Sequence, residues 1–122
     1  MVVFDTNIFI YAGVGKLNLS RIDGVEACYA SITVIETLGF HEITSVEQRK
    51  LTQILEAYQM IDLSESIIQR AVALRQDRKM SLGDSIIAAT ALERSLTLWT
   101  ANTKDFAHIH GLNMFNPLAK PA

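Results

Sequence analysis

The sequence predicts an α/β fold, a three-layer α/β/α sandwich around a central parallel sheet of four to five strands, and three observations carry that reading. The apolar run Val2 to Phe4 has no polar alternation, as a strand buried on both faces does, and Glu26 to Ile32, Gln59 to Leu63 and Leu96 to Thr100 read as further short strands. Segments of helical period separate them, and strands that alternate with helices assemble into parallel sheets. Polar residues follow the C-terminal sides of these runs: Asp5 after the first, Glu36 soon after the second, Asn102 and Asp105 after the fourth.

The first run, Val2-Val3-Phe4, leads straight into Asp5. Ligands of open α/β sheets bind at the C-terminal ends of the strands, so a carboxylate there points at the default site. Asp is equally a good helix N-cap, and both readings of Asp5 stand. Thr6-Asn7 is turn and cap chemistry, after which Ile8, Phe9, Ile10 and Tyr11 begin a helix that packs back onto the sheet. Gly13 to Gly24 is punctuated by Gly15, Asn18, Ser20 and Asp23 and reads as a loop with one short helical turn. After the second strand, Thr33 and Glu36 have the spacing of a capping box, while Glu36 also falls at the level of Asp5.

Thr44 to Tyr58 places Leu51, Ile54, Leu55 and Tyr58 on one face, the stripe of an amphipathic helix in an outer layer. Ser64 caps the next helix, Glu65 to Lys79, with Ile67, Ile68, Ala71, Val72 and Ala73 or Leu74 inward. Arg75, Arg78 and Lys79 crowd its last turn, where cations suit the helix dipole. Ser81 to Leu92 has small and apolar residues on nearly every face and is predicted to be buried almost all round. Asp84 in such a helix is costly unless it caps, pairs or binds a metal; it stands three after Ser81, the offset of a weak capping box. Leu112 to Phe115 is a final short strand.

With 122 residues the chain is expected to form one domain, 1–122, with no second fold. Hydrophobic residues at 49% and charged residues at 20% exclude disorder, and no apolar run approaches the ~18 residues of a membrane span. Val2 to Tyr11 lacks the pattern of a signal peptide. Cys28 is the single cysteine, which suits a reducing interior, and the expected location is cytoplasmic. A net charge of −2 and a pI near 5.9 argue against binding nucleic acid through bulk positive charge. The mean hydropathy of +0.21 is high for a small domain and points to surface covered by another chain, a second copy or an obligate partner.

Asp5, Glu36, Asp84, Asn102 and Asp105 thus share one rim of a parallel sheet. Carboxylates gathered there repel one another, and the physical reason for such a cluster is a hard divalent cation. All-oxygen ligation selects Mg²⁺ or Mn²⁺ over zinc, and His108 and His110 read as surface residues because no Cys or second His cluster completes a zinc set.

Four segments, Val3 to Ala12, Ser31 to Gly39, Leu82 to Ala91 and Thr100 to Phe106, resemble the PIN domain in order and spacing, over essentially the whole chain. Among PIN domains the small size is similar to the VapC toxins of prokaryotic toxin–antitoxin pairs. The resemblance implies a PIN-like fold and a Mg²⁺- or Mn²⁺-dependent endoribonuclease that hydrolyses RNA phosphodiesters, with Asp5, Glu36 and Asp84 as catalytic and metal-holding acids. At the fourth position of the family, Asn102 and Asp105 compete. Asp105 is taken as the fourth acid and Asn102 as a neutral ligand or water holder. Thr6 and Ser31 resemble the family's polar supporting residues. The connection from Ala12 to Cys28 departs from the resemblance, being short where such toxins often carry a longer helical segment.

RNA affinity then has to come from local cations, for which Arg75, Arg78, Lys79 and Lys104 are the candidates. The expected partners are an RNA, a cognate antitoxin and a second copy in a two-fold homodimer. Phe9, Tyr11, Leu38 and Phe40 are expected to wall the antitoxin's groove. Two rivals to the toxin reading are a non-catalytic interaction module and a PIN nuclease of RNA processing. An aspartyl phosphohydrolase wants a second Asp where this chain has Asn7.

Overall fold

The structure, a computed structural model, describes residues 1–119. Strand β1 (Val2–Phe4) lies mid-sheet between β2 (Ala27–Ala30) and β4 (Leu98–Trp99), with β3 (Gln59–Ile61) and β5 (Met114–Phe115) at the edges. The order is β3-β2-β1-β4-β5 and all four pairings are parallel, with Val3 opposite Cys28 on one side and Leu98 on the other. The period of two that the sequence conceals is present: Val3, Cys28, Ala30, Ile61 and Leu98 enter one core layer, Phe4, Ala27 and Tyr29 the other. Apolar residues occupy both sets because both faces are covered.

The first layer lies under α4 (Glu65–Asp77), α5 (Leu82–Arg94) and Phe106 of the short α6 (Thr103–Phe106). The second lies under α1 (Thr6–Gly13) and α3 (Ser45–Glu56), where Phe4 meets Phe9 and Tyr58 edge to face at centroid distances of 5.7 and 5.1 Å. Such pairs each add about 1 kcal/mol beyond their buried area. Helix α2 (Ile32–Leu38) joins the layers, sending Ile32 to the first and Val34 and Leu38 to the second. Asp5 caps α1, Ser64 caps α4 and Ser81 caps α5. Gly83 and Ser85 through Ala91 are buried, as the composition of that helix predicts.

Several expectations need correction. All strands but the first are shorter than the apolar runs, β5 losing Leu112 and Asn113 at its start and β4 a residue or two at each end. Helix α1 starts at Thr6, not at Ile8. The predicted Thr33/Glu36 capping box does not form; Ser31 stands at the N-cap without a side-chain bond, and the reciprocal box is built by Thr44 and Glu47 at the head of α3. On α4 only Ile67 and Ala71 are buried, with Leu74 packed beside them; Ile68, Val72 and Ala73 face outward. The loop after α1 contains the expected helical turn, at Leu19–Arg21.

Chain direction positions the site. Strands β1, β2 and β3 are laid down outward, and the chain then returns to β4 on the other side of β1. That reversal is a topological switch point, and the crevice where ligands bind lies above the C-terminal ends of β1 and β4.

Candidate active site

Asp5 follows β1 and Thr100 follows β4, so the switch point sets them face to face. Asp5 Oδ2 accepts a hydrogen bond from the Thr100 hydroxyl at 2.7 Å, and Oδ1 accepts one from the Thr6 backbone N–H at 2.8 Å. The Thr100 hydroxyl in turn accepts from the Asn102 backbone N–H at 3.0 Å. Asp5 is 4% exposed. Burial pushes its carboxyl up from 3.8 to about 6; the Thr100 hydrogen bond opposes this, and the charges of Asp84 and Glu36 add to it. Asp5 is therefore at once a cap and a rim acid.

Glu36 reaches back from α2 to α1, where its Oε1 accepts from the Thr6 hydroxyl at 2.8 Å. Thr6 also meets the hydroxyl of buried Thr33 at 3.0 Å; Thr33 caps nothing because α2 starts at Ile32 and Ser31 holds the cap position. Asp84 sits half-buried in the first turn of α5, its backbone N–H held by Ser81 Oγ at 3.1 Å. Burial pushes its carboxyl upward against the Ser81 hydroxyl, and the charges of Asp105 and Glu36 push the same way. The field of Asp84 thus connects Asp5 on one side with Asp105, on α6, on the other.

Among the described residues no three His, Cys, Asp or Glu side chains converge closely enough to form a ready-made cation site; the charges of Asp84 and Glu36 act on Asp5, and those of Asp105 and Glu36 on Asp84. Their donor set still fits a hard divalent ion, being all oxygen and anionic. Asn7, in the first turn of α1, has its side-chain Oδ1 buried without a hydrogen-bond partner among the described residues.

The remaining predicted residues divide. The Ser31 side chain makes no hydrogen bond among the described residues, and Asn102 joins the network through its backbone while its side chain is exposed. Arg75 and Lys79 flank an apolar groove of about 670 Å³ between α4 and α5, Arg75 Nε donating to the Met80 carbonyl at 3.3 Å. Arg78 ends α4 and Lys104 lies on α6 beside Asp105. Phe9 cannot wall a groove, being fully buried under the sheet, and Tyr11 and Leu38 are half-buried. The apolar groove beside Glu36, about 300 Å³, is lined instead by Ile10, Val14, Phe40 and Ile43 with Glu47. His110 is exposed as expected, but His108 is half-buried, its Nε2 unpartnered among the described residues. Thr33 and Thr100 escaped the sequence reading; a hydroxyl directly after a strand was the one available signal for Thr100.

A doubly wound parallel sheet with acids at its switch point defines a class, and residues 2–112 match the family model of the PIN domain. The chain belongs to the PIN domain family. It is similar to a chain of a toxin–antitoxin complex from Klebsiella pneumoniae, 32% identical over 96% of this chain and 98% of that one, with a TM-score of 0.76. A chain of VapBC2 from Rickettsia felis, solved bound to a DNA fragment from their promoter, is 25% identical with a TM-score of 0.81, over 95% and 98% of the two chains. A chain of VapBC-1 from nontypeable Haemophilus influenzae, 24% identical over 98% and 100%, shares the fold at a TM-score of 0.80. Among curated proteins no sequence matches. No helix among the described residues is long and apolar enough to cross a membrane.

Proposed function

We propose that this chain is a Mg²⁺- or Mn²⁺-dependent endoribonuclease, one nuclease domain over 1–122, and the VapC-like toxin of a toxin–antitoxin pair. The observation that carries the reading is the acid-bearing switch point of a PIN fold, where Asp5 after β1 is bonded to Thr100 after β4 and Glu36 reaches Thr6 beside it. We assign Asp5, Glu36, Asp84 and Asp105 as metal ligands and catalytic residues. A bound divalent ion supplies Lewis acidity, lowering the pKa of the attacking water and neutralising charge on the phosphate.

The chain's own part is orientation. Thr100 and the Thr6 N–H hold both oxygens of Asp5, and the Thr6 hydroxyl holds Glu36. Asn102 acts through its backbone, by fixing the Thr100 hydroxyl. No histidine is needed as general base. Lys104, next to Asp105, and the basic end of α4 at Arg75, Arg78 and Lys79 are assigned to the RNA backbone, where phosphate contacts position without reading sequence.

The partner reading is supported by the groove of Ile10, Val14, Phe40 and Ile43, which has Glu36 and Glu47 at its edge. An amphipathic helix carrying an Arg fits such a surface, with the guanidinium on the carboxylates. Leu63, Ile68, Val72 and Leu82, exposed along the groove that Arg75 and Lys79 edge, supply a face for a homodimer from whose rim these cations reach the RNA. A ribonuclease with a buried free thiol at Cys28 suits the cytoplasm.

The test is cleavage of RNA by the pure protein with Mn²⁺, abolished by EDTA and by Asp84→Asn with the fold intact. Co-expression with the neighbouring open reading frame should yield an inactive complex. A well-tolerated protein that leaves RNA whole with Mn²⁺ supplied sinks both the nuclease and the toxin readings.

A further inference from the structure

Gly83 is the second residue of α5, a position where alanine would serve the helix better and where the backbone is not among the positive-φ glycines, Gly15, Gly24 and Gly111. Conformation therefore does not require a glycine there. Space does: a Cβ built on Gly83 would overlap Oε2 of Glu36 and lie 2.9 Å from its Cδ and 3.1 Å from its Oε1. The Glu36 carboxylate, carried by α2, thus occupies the volume that any side chain at 83 would fill.

The other side of the same carboxylate is also held. Its Oε1 takes the single proton of the Thr6 hydroxyl, so in the 3.0 Å contact between Thr6 and Thr33 the proton must come from Thr33. Thr33 is fully buried, which gives the relay one arrangement. Glu36 itself is exposed, and a long exposed side chain without such supports samples many rotamers.

We propose that Gly83 is a positioning residue: its missing side chain is the seat that admits the Glu36 carboxylate to the start of α5, beside Asp84, with the Thr33–Thr6 relay closing the seat from the opposite side. The inference rests on the metal-nuclease reading above and says which residue lets two acids from different helices share one ion. The three atoms nearest an added Cβ all belong to the far end of the flexible Glu36 side chain, so Gly83→Ala is expected to turn Glu36 away from Asp84.

Three measurements on Gly83→Ala test this. The metal-free crystal structure should show Glu36 moved and its bond to Thr6 broken. The melting temperature should stay level or rise, from the better helix former. Mn²⁺ affinity by calorimetry should fall about tenfold, the scale of disturbed supporting shells, while kcat returns toward wild type at saturating Mn²⁺. Thr33→Val should weaken Mn²⁺ binding in the same direction, and Thr33→Ser should restore it. A Glu36 carboxylate that keeps its place in the Gly83→Ala variant, or a variant that is less stable or unfolded, overturns the proposal, since the glycine would then serve helix packing. Wild-type protein that binds no Mn²⁺ and leaves RNA intact refutes the nuclease reading and the positioning role with it. Wild-type protein that binds Mn²⁺ and cleaves RNA, with Gly83→Ala its equal in both, refutes the positioning role alone.

Discussion

Asp5→Asn should make the metal-free protein more stable at neutral pH, and only there. The carboxyl is held at about 6 in the folded chain against 3.8 as its ordinary value, chiefly by burial. At about 1.4 kcal/mol per pKa unit, keeping it ionised costs the fold about 3 kcal/mol above pH 6. The folded pKa is raised, so this cost is absent below pH 3.8, grows as the pH rises from 3.8 to about 6, and is constant beyond. Asparagine removes the charge and can still accept from the Thr6 N–H, but its amide meets the Thr100 hydroxyl donor with donor. Turning that hydroxyl sacrifices about 1 kcal/mol. The net gain at pH 7.5 is about 2 kcal/mol, a rise in Tm of roughly 5–10 °C for a chain of this size. Urea unfolding in EDTA from pH 4 to 8 measures it. Added Mn²⁺ at a hundred times its Kd should then stabilise wild type by about 2.7 kcal/mol and the variant far less. Parallel pH profiles for the two proteins, or a variant less stable at pH 7.5, would show that Asp5 acts as a helix cap and that the buried-charge reasoning fails.

Thr100→Val removes the hydroxyl that holds ionised Asp5, and should push that carboxyl above 6 and lower stability at pH 8 by about 2 kcal/mol, less at pH 4, by the same titration. Asp105→Asn should weaken Mn²⁺ binding because its charge acts on Asp84, whereas Asn102→Ala, which keeps the backbone bond to Thr100, should leave binding near wild type; the reverse ranking by calorimetry reassigns the fourth ligand. Phe4→Ala should cost about 3–5 kcal/mol in urea unfolding at every pH, since it opens a cavity in the aromatic cluster without touching the acids; a pH-dependent loss would mean that the core and the rim are coupled.

Much of this protein is legible along the chain. The apolar run Val2 to Phe4, without alternation, marks a strand covered on both sides; Ser64 and Ser81 mark helix starts; small residues all round α5 mark its burial. These are local signals, governed by periods of two and 3.6 residues and by caps that act within one turn. Asp5, Glu36 and Asp105 could be expected on one rim because position after a strand is also a local property, and Asp84 because it falls in the first turn of an inward helix. What tertiary structure alone decided are partnerships between residues far apart in sequence. Thr100 binds Asp5 across 95 residues only because β4 crosses back to lie beside β1. Thr33 and Glu36 have the spacing of a cap, yet α2 starts one residue before Thr33 and both side chains meet the Thr6 hydroxyl of the neighbouring helix. Phe9 reads as a groove wall and Ile68 and Val72 as core, but which stripe of a helix faces inward depends on how it is rotated against the sheet, and these short amphipathic patterns allowed more than one rotation. The seat at Gly83 is the extreme case: a helix-weakening glycine has no local reason in the sequence, and its reason is a carboxylate that arrives from another helix.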